Sequence, residues 1–245
     1  MAAFANFPYE VVETSGEDAL ATWEELKTAG RGAPVVLGED DLENLLAPFD
    51  PKEWPRLKPI EEILAAAKSI DFPDGLRQHR RFEHAKAMAY LEKIGSAMGF
   101  RHQESEAPLG DWPADPWHAT DLTVTYDLAA RQTKPTAHIA LIPTDDPTAI
   151  PAYMQWGNWN ACPPPAYHVA ALRAWRDRYG AELVGLGADV INLRVARRPA
   201  TRDEALELAR AQYVYCNDII DQGVGSYSGL AAGLMASDWW FFWWD

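Results

Sequence analysis

A chain of 245 residues with a formal charge of −14 and a pI near 4.8 is 48% apolar and 24% charged, the proportions of an ordinary globular protein. Phosphates repel so negative a surface, so neither nucleic acid nor an anionic membrane is an expected partner, and a basic protein is the natural complement. Two cysteines, Cys162 and Cys216, are too few for a disulfide framework or a four-thiolate zinc site.

The first residues, MAAFANFPYEVVE, contain no Lys or Arg and no sustained apolar run, unlike a signal peptide. No stretch approaches the roughly 18 apolar residues of a spanning helix. A cytoplasmic protein is the expectation. Residues 17–28 place Ala19, Trp23 and Leu26 on one helical face, with Gly30 and Gly32 beyond them as a stop. PVVLG is a short buried strand, DDLENLL opens a helix with acids at its positive end, and IEEILAAAKSI is another helix.

Charge then changes sign. Residues 1–75 carry 16 acids and 6 bases, whereas residues 76–105 carry 3 acids and 6 bases. The basic island LRQHRRFEHAKAMAYLEK, residues 76–93, reads as a helix with Leu76, Arg80, Glu83 and Lys86 on one side. Phe82, Ala85, Ala89 and the nearby Met88 form its apolar stripe. The basic side is expected to be a solvated face, the alternative being a site for phosphate or an acidic partner. EAPLGDWPADPWHA, residues 106–119, is a structured connector and the expected domain junction, because flexible linkers seldom carry Trp.

Beyond it the period becomes two. DLTVTYDL and TAHIALIP read as strands around the turn-like ARQTKP, and PAYMQW as a third strand. From Pro165 the pattern is helical, with Val169, Leu172, Trp175 and Tyr179 on one face and Gly180 as the stop. AELVGLGADVINLRV is two strands about a turn, and Thr201 with Glu204 forms a capping box for the next helix. QGVGSYSG is a glycine turn ahead of a last short helix, a place where an anion could sit but more often just a turn.

The run DWWFFWWD, residues 238–245, has the length of a strand. Trp239, Phe241 and Trp243 would face one way and Trp240, Phe242 and Trp244 the other. With both faces apolar, an interior strand covered on both sides is expected; the alternative makes one face a partner surface with Trp as anchor.

Chemistry concentrates in QWGNWNACPPPAYHVAALRAWRDRYGAE, residues 155–182. Cys162 precedes a Pro-rich helix entry, where a helix dipole can stabilise a thiolate. His168 follows six residues later as the candidate base, with Asn158, Asn160 or Asp189 to orient it. The bland counterpart is a buried apolar cysteine beside a hydrogen-bonded core histidine. The histidines at 79, 84, 102, 118, 138 and 168 are scattered without metal-ligand spacing, so no metal and no cofactor is expected.

WGNWNACPPPAYHVAALRAWRDRYGAEL, RRPATRDEALELARAQYVYCNDIIDQG and the closing WWFFWWD together resemble the bacterial domain-of-unknown-function family 4253. The resemblance covers roughly residues 150–245, with several separated motifs matching in order; PVVLG also looks like what precedes the domain in that family. It implies no activity. It implies one shared module holding the Trp156–Cys162, His168 and Tyr215–Asp218 motifs, which gives Trp156, Asn158, Trp159, Asn160, Tyr215 and Asp218 as candidate binding residues. The helix around residues 76–98 would be an elaboration of this chain.

The expected fold is α+β: a mixed, largely antiparallel sheet covered by helices, with the C-terminal aromatic strand buried in it. Residues 1–105 would form a mainly helical region with a short strand, and residues 106–245 the α+β module. The expected function is that of a cytosolic, non-catalytic binding protein, such as an immunity or adaptor protein, whose acidic surface meets a basic partner. The alternatives are a thiol-dependent hydrolase or transferase using Cys162 and His168, and a structural oligomerisation domain.

Overall fold

The computed structural model describes residues 4–39, 41–52, 57–94, 106–127 and 130–245; His102 and the residues just before the expected junction lie outside them. The described strands are β1 (Glu10–Thr14), β2 (Ala33–Leu37), the two-residue pair β3 (Tyr126–Asp127) and β4 (Gln132–Thr133), β5 (Ala137–Ile142), β6 (Glu182–Leu186), β7 (Val190–Arg194) and β8 (Trp239–Trp243). Six of these form one sheet in the order β1-β5-β2-β6-β7-β8, in which β2 and β6 are parallel and every other pairing is antiparallel. All five residues of β2 are buried, as a continuous apolar run in mid-sheet requires. The sheet spans both sides of the Pro-Trp passage, since β1 and β2 each pair with β5.

The described α-helices are α1 (Ala19–Ala29), α2 (Leu42–Leu46), α3 (Ile60–Lys68), α4 (Asp74–Lys93), α5 (Ile150–Tyr153), α6 (Pro165–Tyr179), α7 (Arg202–Tyr215) and α8 (Tyr227–Ala236). Helix α1 covers one face of the sheet, where Ala19 and Trp23 pack with Val36, Ile139 and Val184. The larger core lies on the other face, beneath α6, α7 and α8, and includes Leu172, Trp175, Tyr215, Trp240, Phe242 and Trp244. Helix α6 buries the expected stripe Val169, Leu172, Trp175 and Tyr179 and ends on Gly180 at φ 62°, a left-handed residue whose N–H caps Arg176 O. Thr201 Oγ1 accepts from Glu204 N at 3.2 Å, the expected cap of α7.

Four features depart from the sequence reading. DLTVTYDL is mostly not a strand: Thr123–Thr125 form a 3-10 turn, because Asn192 Oδ1, reaching over from β7, accepts from Val124 N and Thr123 Oγ1 at 3.1 and 3.0 Å. PAYMQW is not a strand: its first three residues lie in α5 and the rest is turn and loop. Asp146 Oδ1 accepts from Thr148 N and Oγ1 at 3.1 and 2.6 Å, starting a 3-10 turn that runs into α5. Helix α4 is rotated from the expected orientation: Leu76 and Arg80 face the protein, and the apolar stripe faces solvent, with Phe82 65% exposed. Strand β8 lies at a sheet edge and not in its interior. Its even face, Trp240, Phe242 and Trp244, is buried in the aromatic core, while Trp239, Phe241 and Trp243 are half-buried. Strand β1 and the π-helix Ile219–Val224 were not foreseen.

Candidate functional site

The loop between α5 and α6 is wound through unusual backbone. Gln155, Asn158 and Asn160 have positive φ, and Gly157 has φ 109°. Asn is among the residue types that tolerate this region, and such clusters mark sites that the surrounding structure over-determines. A side chain at Gly157 would come within 2.2 Å of Pro163 O and 2.6 Å of His168 Nε2, so the glycine is what lets the loop close on the histidine. Asn158 N donates to Pro163 O at 3.0 Å and Cys162 N to Trp159 O at 2.7 Å, which turns Cys162 inward just ahead of α6.

There, Cys162 Sγ lies 3.5 Å from His168 Nε2, and His168 Nδ1 lies 2.6 Å from Tyr215 Oη, an order of thiol, imidazole and phenol drawn from loop, α6 and α7. All three are buried. Trp156, Tyr215 and Trp244 meet the imidazole edge to face, at ring separations of 4.7, 5.2 and 5.7 Å. Trp156 is itself fixed by its Nε1 donating to Gly187 O at 2.9 Å.

The electrostatics follow from this dryness. Burial pushes the Cys162 thiol well above its ordinary range and the neighbouring Cys216 adds to the rise. Burial holds His168 down to about 3; the Pro163 carbonyl, which accepts from the ring, raises it, and the nearby Arg80 lowers it. Burial also raises the Tyr215 phenol. The resting state is therefore thiol, neutral imidazole and phenol. A neutral imidazole carries a single ring proton. That proton is on either Nε2 or Nδ1, and the Tyr215 hydroxyl, which can donate or accept, takes the complementary role at Nδ1.

The residues singled out from sequence converge at the end of β8. Asn160 Nδ2 donates to Asp245 O at 2.9 Å, and Asp245 N donates to Asp218 Oδ2 at 3.2 Å, so two of them hold the backbone that follows the aromatic strand. Asp218 is buried and also accepts from Asn217 and Gln222. Trp159 packs edge-on against Trp156 at 4.9 Å, and the Asn158 residue is exposed. The orienting partner of His168 is Tyr215, not Asn158, Asn160 or Asp189; Asp189 instead accepts from Trp243 Nε1 at 3.0 Å. The QGVGSYSG turn offers no open anion cradle. Its N–H groups at Tyr227, Ser228 and Gly229 donate to Pro108 O, Leu109 O and Ser226 Oγ.

Two participants went unrecognised in the sequence. Arg80 Nη2 donates to Ala161 O and Tyr215 O, both at 3.0 Å, clamping the backbone just before each cysteine. Cys216 Sγ donates to Trp243 O at 2.9 Å. The signal for Arg80 was its placement four residues after Leu76, the buried anchor of α4.

The outer row of β8 offers a different kind of site. Trp117, 62% exposed, meets Phe241 edge-on at 6.3 Å beside half-buried Trp239 and Trp243. Asp189 holds one end of this row through the Trp243 indole, and Asp238, paired with Arg198 at 2.7 Å, precedes the other. Among the described residues no helix is long and apolar enough to cross a membrane, and no group of three His, Cys, Asp or Glu side chains is placed to hold a metal ion.

Residues 138–245, the C-terminal part of the chain, match the family model of the domain of unknown function DUF4253. Comparison with curated proteins and with solved structures gave no match.

Proposed function

We propose that this DUF4253-containing chain is a non-catalytic binding protein of the immunity or adaptor kind, cytoplasmic, whose acidic surface meets a basic protein. The observation that carries the reading is the outer face of β8, where exposed Trp117 stands by the half-buried row Trp239, Phe241 and Trp243, with Asp189 and Asp238 at its ends, on a chain of charge −14. Trp is the favoured anchor of protein interfaces, and carboxylates around it steer and select a cationic partner. The neutral, closed state of Cys162, His168 and Tyr215 supports the same reading, since it supplies packing and register where an enzyme would need a thiolate. Two free buried cysteines suit a reducing compartment.

The test is affinity capture by the folded chain from the cells that make it, at low and high salt, in parallel with Trp243→Ala. A basic protein captured at low salt, lost as salt rises and lost with Trp243→Ala, is the expected result. Capture that ignores both salt and the substitution removes the proposal.

A second reading rests on one contact, the 3.5 Å approach of Cys162 Sγ to His168 Nε2 with Tyr215 on the far ring nitrogen. Nucleophile, base and orienting group stand in that order in thiol-dependent hydrolases and transferases. On this reading the site must open, and Nε2 must be the unprotonated ring nitrogen that takes the thiol's proton. An activity abolished by Cys162→Ser in a protein of unchanged fold would establish it.

A further inference from the structure

Strand β8 is the last in its sheet, so one side of its backbone has no neighbouring strand. Two bonds show which groups face that side. Val195 N donates to Asp238 O at 2.8 Å and Trp244 N to Asp189 O at 3.1 Å, and the β7–β8 register runs unbroken between them. Hydrogen-bonded pairs alternate along an antiparallel ladder, so Asp238, Trp240, Phe242 and Trp244 turn their backbone groups to β7. Trp239, Phe241 and Trp243 turn theirs outward.

Two of the outward groups are satisfied within the chain. Trp239 N donates to Ser237 Oγ and Cys216 Sγ donates to Trp243 O, both at 2.9 Å. Trp239 O, Phe241 N, Phe241 O and Trp243 N have no hydrogen-bond partner among the described residues. The opposite edge of the sheet, β1, carries Glu10 and Glu13, charges that discourage a further strand. Between Asp238 and Asp245, β8 has neither charge nor Pro.

The pattern of free and satisfied groups selects the occupant of this edge. Let a second β8 lie antiparallel, with Phe241 opposite Phe241 of the other copy. Each Phe241 then exchanges both of its bonds with its counterpart. Trp239 stands opposite Trp243, so each free Trp243 N meets a free Trp239 O. The groups left facing each other are Trp239 N and Trp243 O, the two that already have partners in their own chain. Moving the centre to Trp240 would instead set the satisfied Trp239 N against the free Phe241 O. The Phe241-centred register also pairs aromatic rings across the strands, and it brings Arg198, which holds Asp238, toward Asp245 of the other copy. We propose that β8 pairs with β8 of a second copy about a two-fold axis at Phe241, continuing the sheet from one chain into the other. A two-fold pair occupies both open edges and closes. The pairing uses the backbone edge and not the outer face, so it does not depend on the function proposed above.

The experiment is light scattering and amide hydrogen exchange on the full chain over a range of concentrations. Each copy carries −14, so high salt, which screens their repulsion, is the working condition. The expected mass approaches twice 27.3 kDa as concentration rises. Exchange of the Phe241 and Trp243 amides should slow in step, while the Trp239 amide, held by Ser237, keeps its rate. Phe241→Lys and Phe241→Glu, each alone, set like charges opposite at the axis and should give single chains. Mixed together, they should restore the pair. Circular dichroism checks that both variants fold, and if either does not, the mass and amide exchange of the unaltered chain still decide. A single-chain mass at every concentration overturns the proposal. So does a pair that survives Phe241→Lys, a mixture that stays single, or exchange that ignores concentration. Salt separates this pairing, which should strengthen as salt rises, from capture of a basic protein, which should weaken.

Discussion

The hydroxyl of Tyr215 lies 2.6 Å from Nδ1 of His168, and both residues are wholly buried. Neither atom can turn to water, so each depends on the other. Tyr215→Phe removes the hydroxyl but keeps the ring, leaving Nδ1 as an unsatisfied buried polar group at a cost of roughly 1–3 kcal/mol. Urea unfolding measures this directly. A double cycle with His168→Phe should return a coupling above about 0.5 kcal/mol, as for groups in contact. Additive losses would mean that the contact is not energetically present.

His168 also sets a pH dependence. Its folded pKa is held down to about 3 by burial, against an ordinary 6.5. Below pH 6.5 the unfolded chain takes up a proton that the folded chain refuses, so stability is full above 6.5 and falls as pH drops toward 3. The slope from this group is at most about 1.4 kcal/mol per pH unit. In His168→Gln the fall between pH 6.5 and 5 should flatten, as measured by denaturant midpoints at fixed pH. An unchanged slope would place the proton elsewhere.

Much of the architecture was legible in the sequence because local signals and packing agree. Gly180 and Thr201 mark ends that the structure uses, and the Trp175 and Tyr179 stripe is the buried one. Failures occurred where a distant side chain overrode the period. Asn192 converts the alternating Thr123–Thr125 segment into a turn by satisfying its backbone from β7, 68 positions from Val124. The α4 error has a similar cause. Arg80 looked like a solvent residue, but two backbone carbonyls from the α5–α6 loop and from the end of α7 draw it inward and rotate Phe82 out. Of the site, Cys162 and His168 were both candidates from one motif, but their spacing did not show that they meet; the fold brings them to 3.5 Å. Tyr215, 47 positions from His168, could not be assigned as the orienting group, since only the fold brings it there.

Gly157 tests whether the loop is as tightly determined as its backbone implies. Its φ of 109° is unfavourable for a side chain, and a Cβ would strike Pro163 O and His168 Nε2. Gly157→Ala should cost roughly 2–3 kcal/mol through backbone strain alone, with more from displacement of the imidazole. The near-ultraviolet circular dichroism of the surrounding Trp residues should change with it, because Trp156 and Trp244 contact the same ring. A variant with native stability and an unaltered aromatic spectrum would show that the loop gives way cheaply.

Thiol reactivity separates the two functional readings. Burial pushes Cys162 well above the ordinary 9 and Cys216 up to about 12, so at pH 8 almost no thiolate is present in the folded chain. With Cys216→Ser as background, iodoacetamide should modify Cys162 only as fast as the protein opens, a rate that rises with urea and tracks global stability. The same shifts have a thermodynamic counterpart. Folded pKa values above those of the unfolded thiols stabilise the protein below about pH 9, and that contribution is lost as pH rises from 9 toward 12. Rapid alkylation in native buffer, with an apparent pKa below the roughly 8.5 of a free thiol, would contradict the buried neutral state and move Cys162 and His168 from the core to the chemistry. Slow, opening-limited alkylation would keep Cys162 in the core and favour the proposed binding role over thiol chemistry.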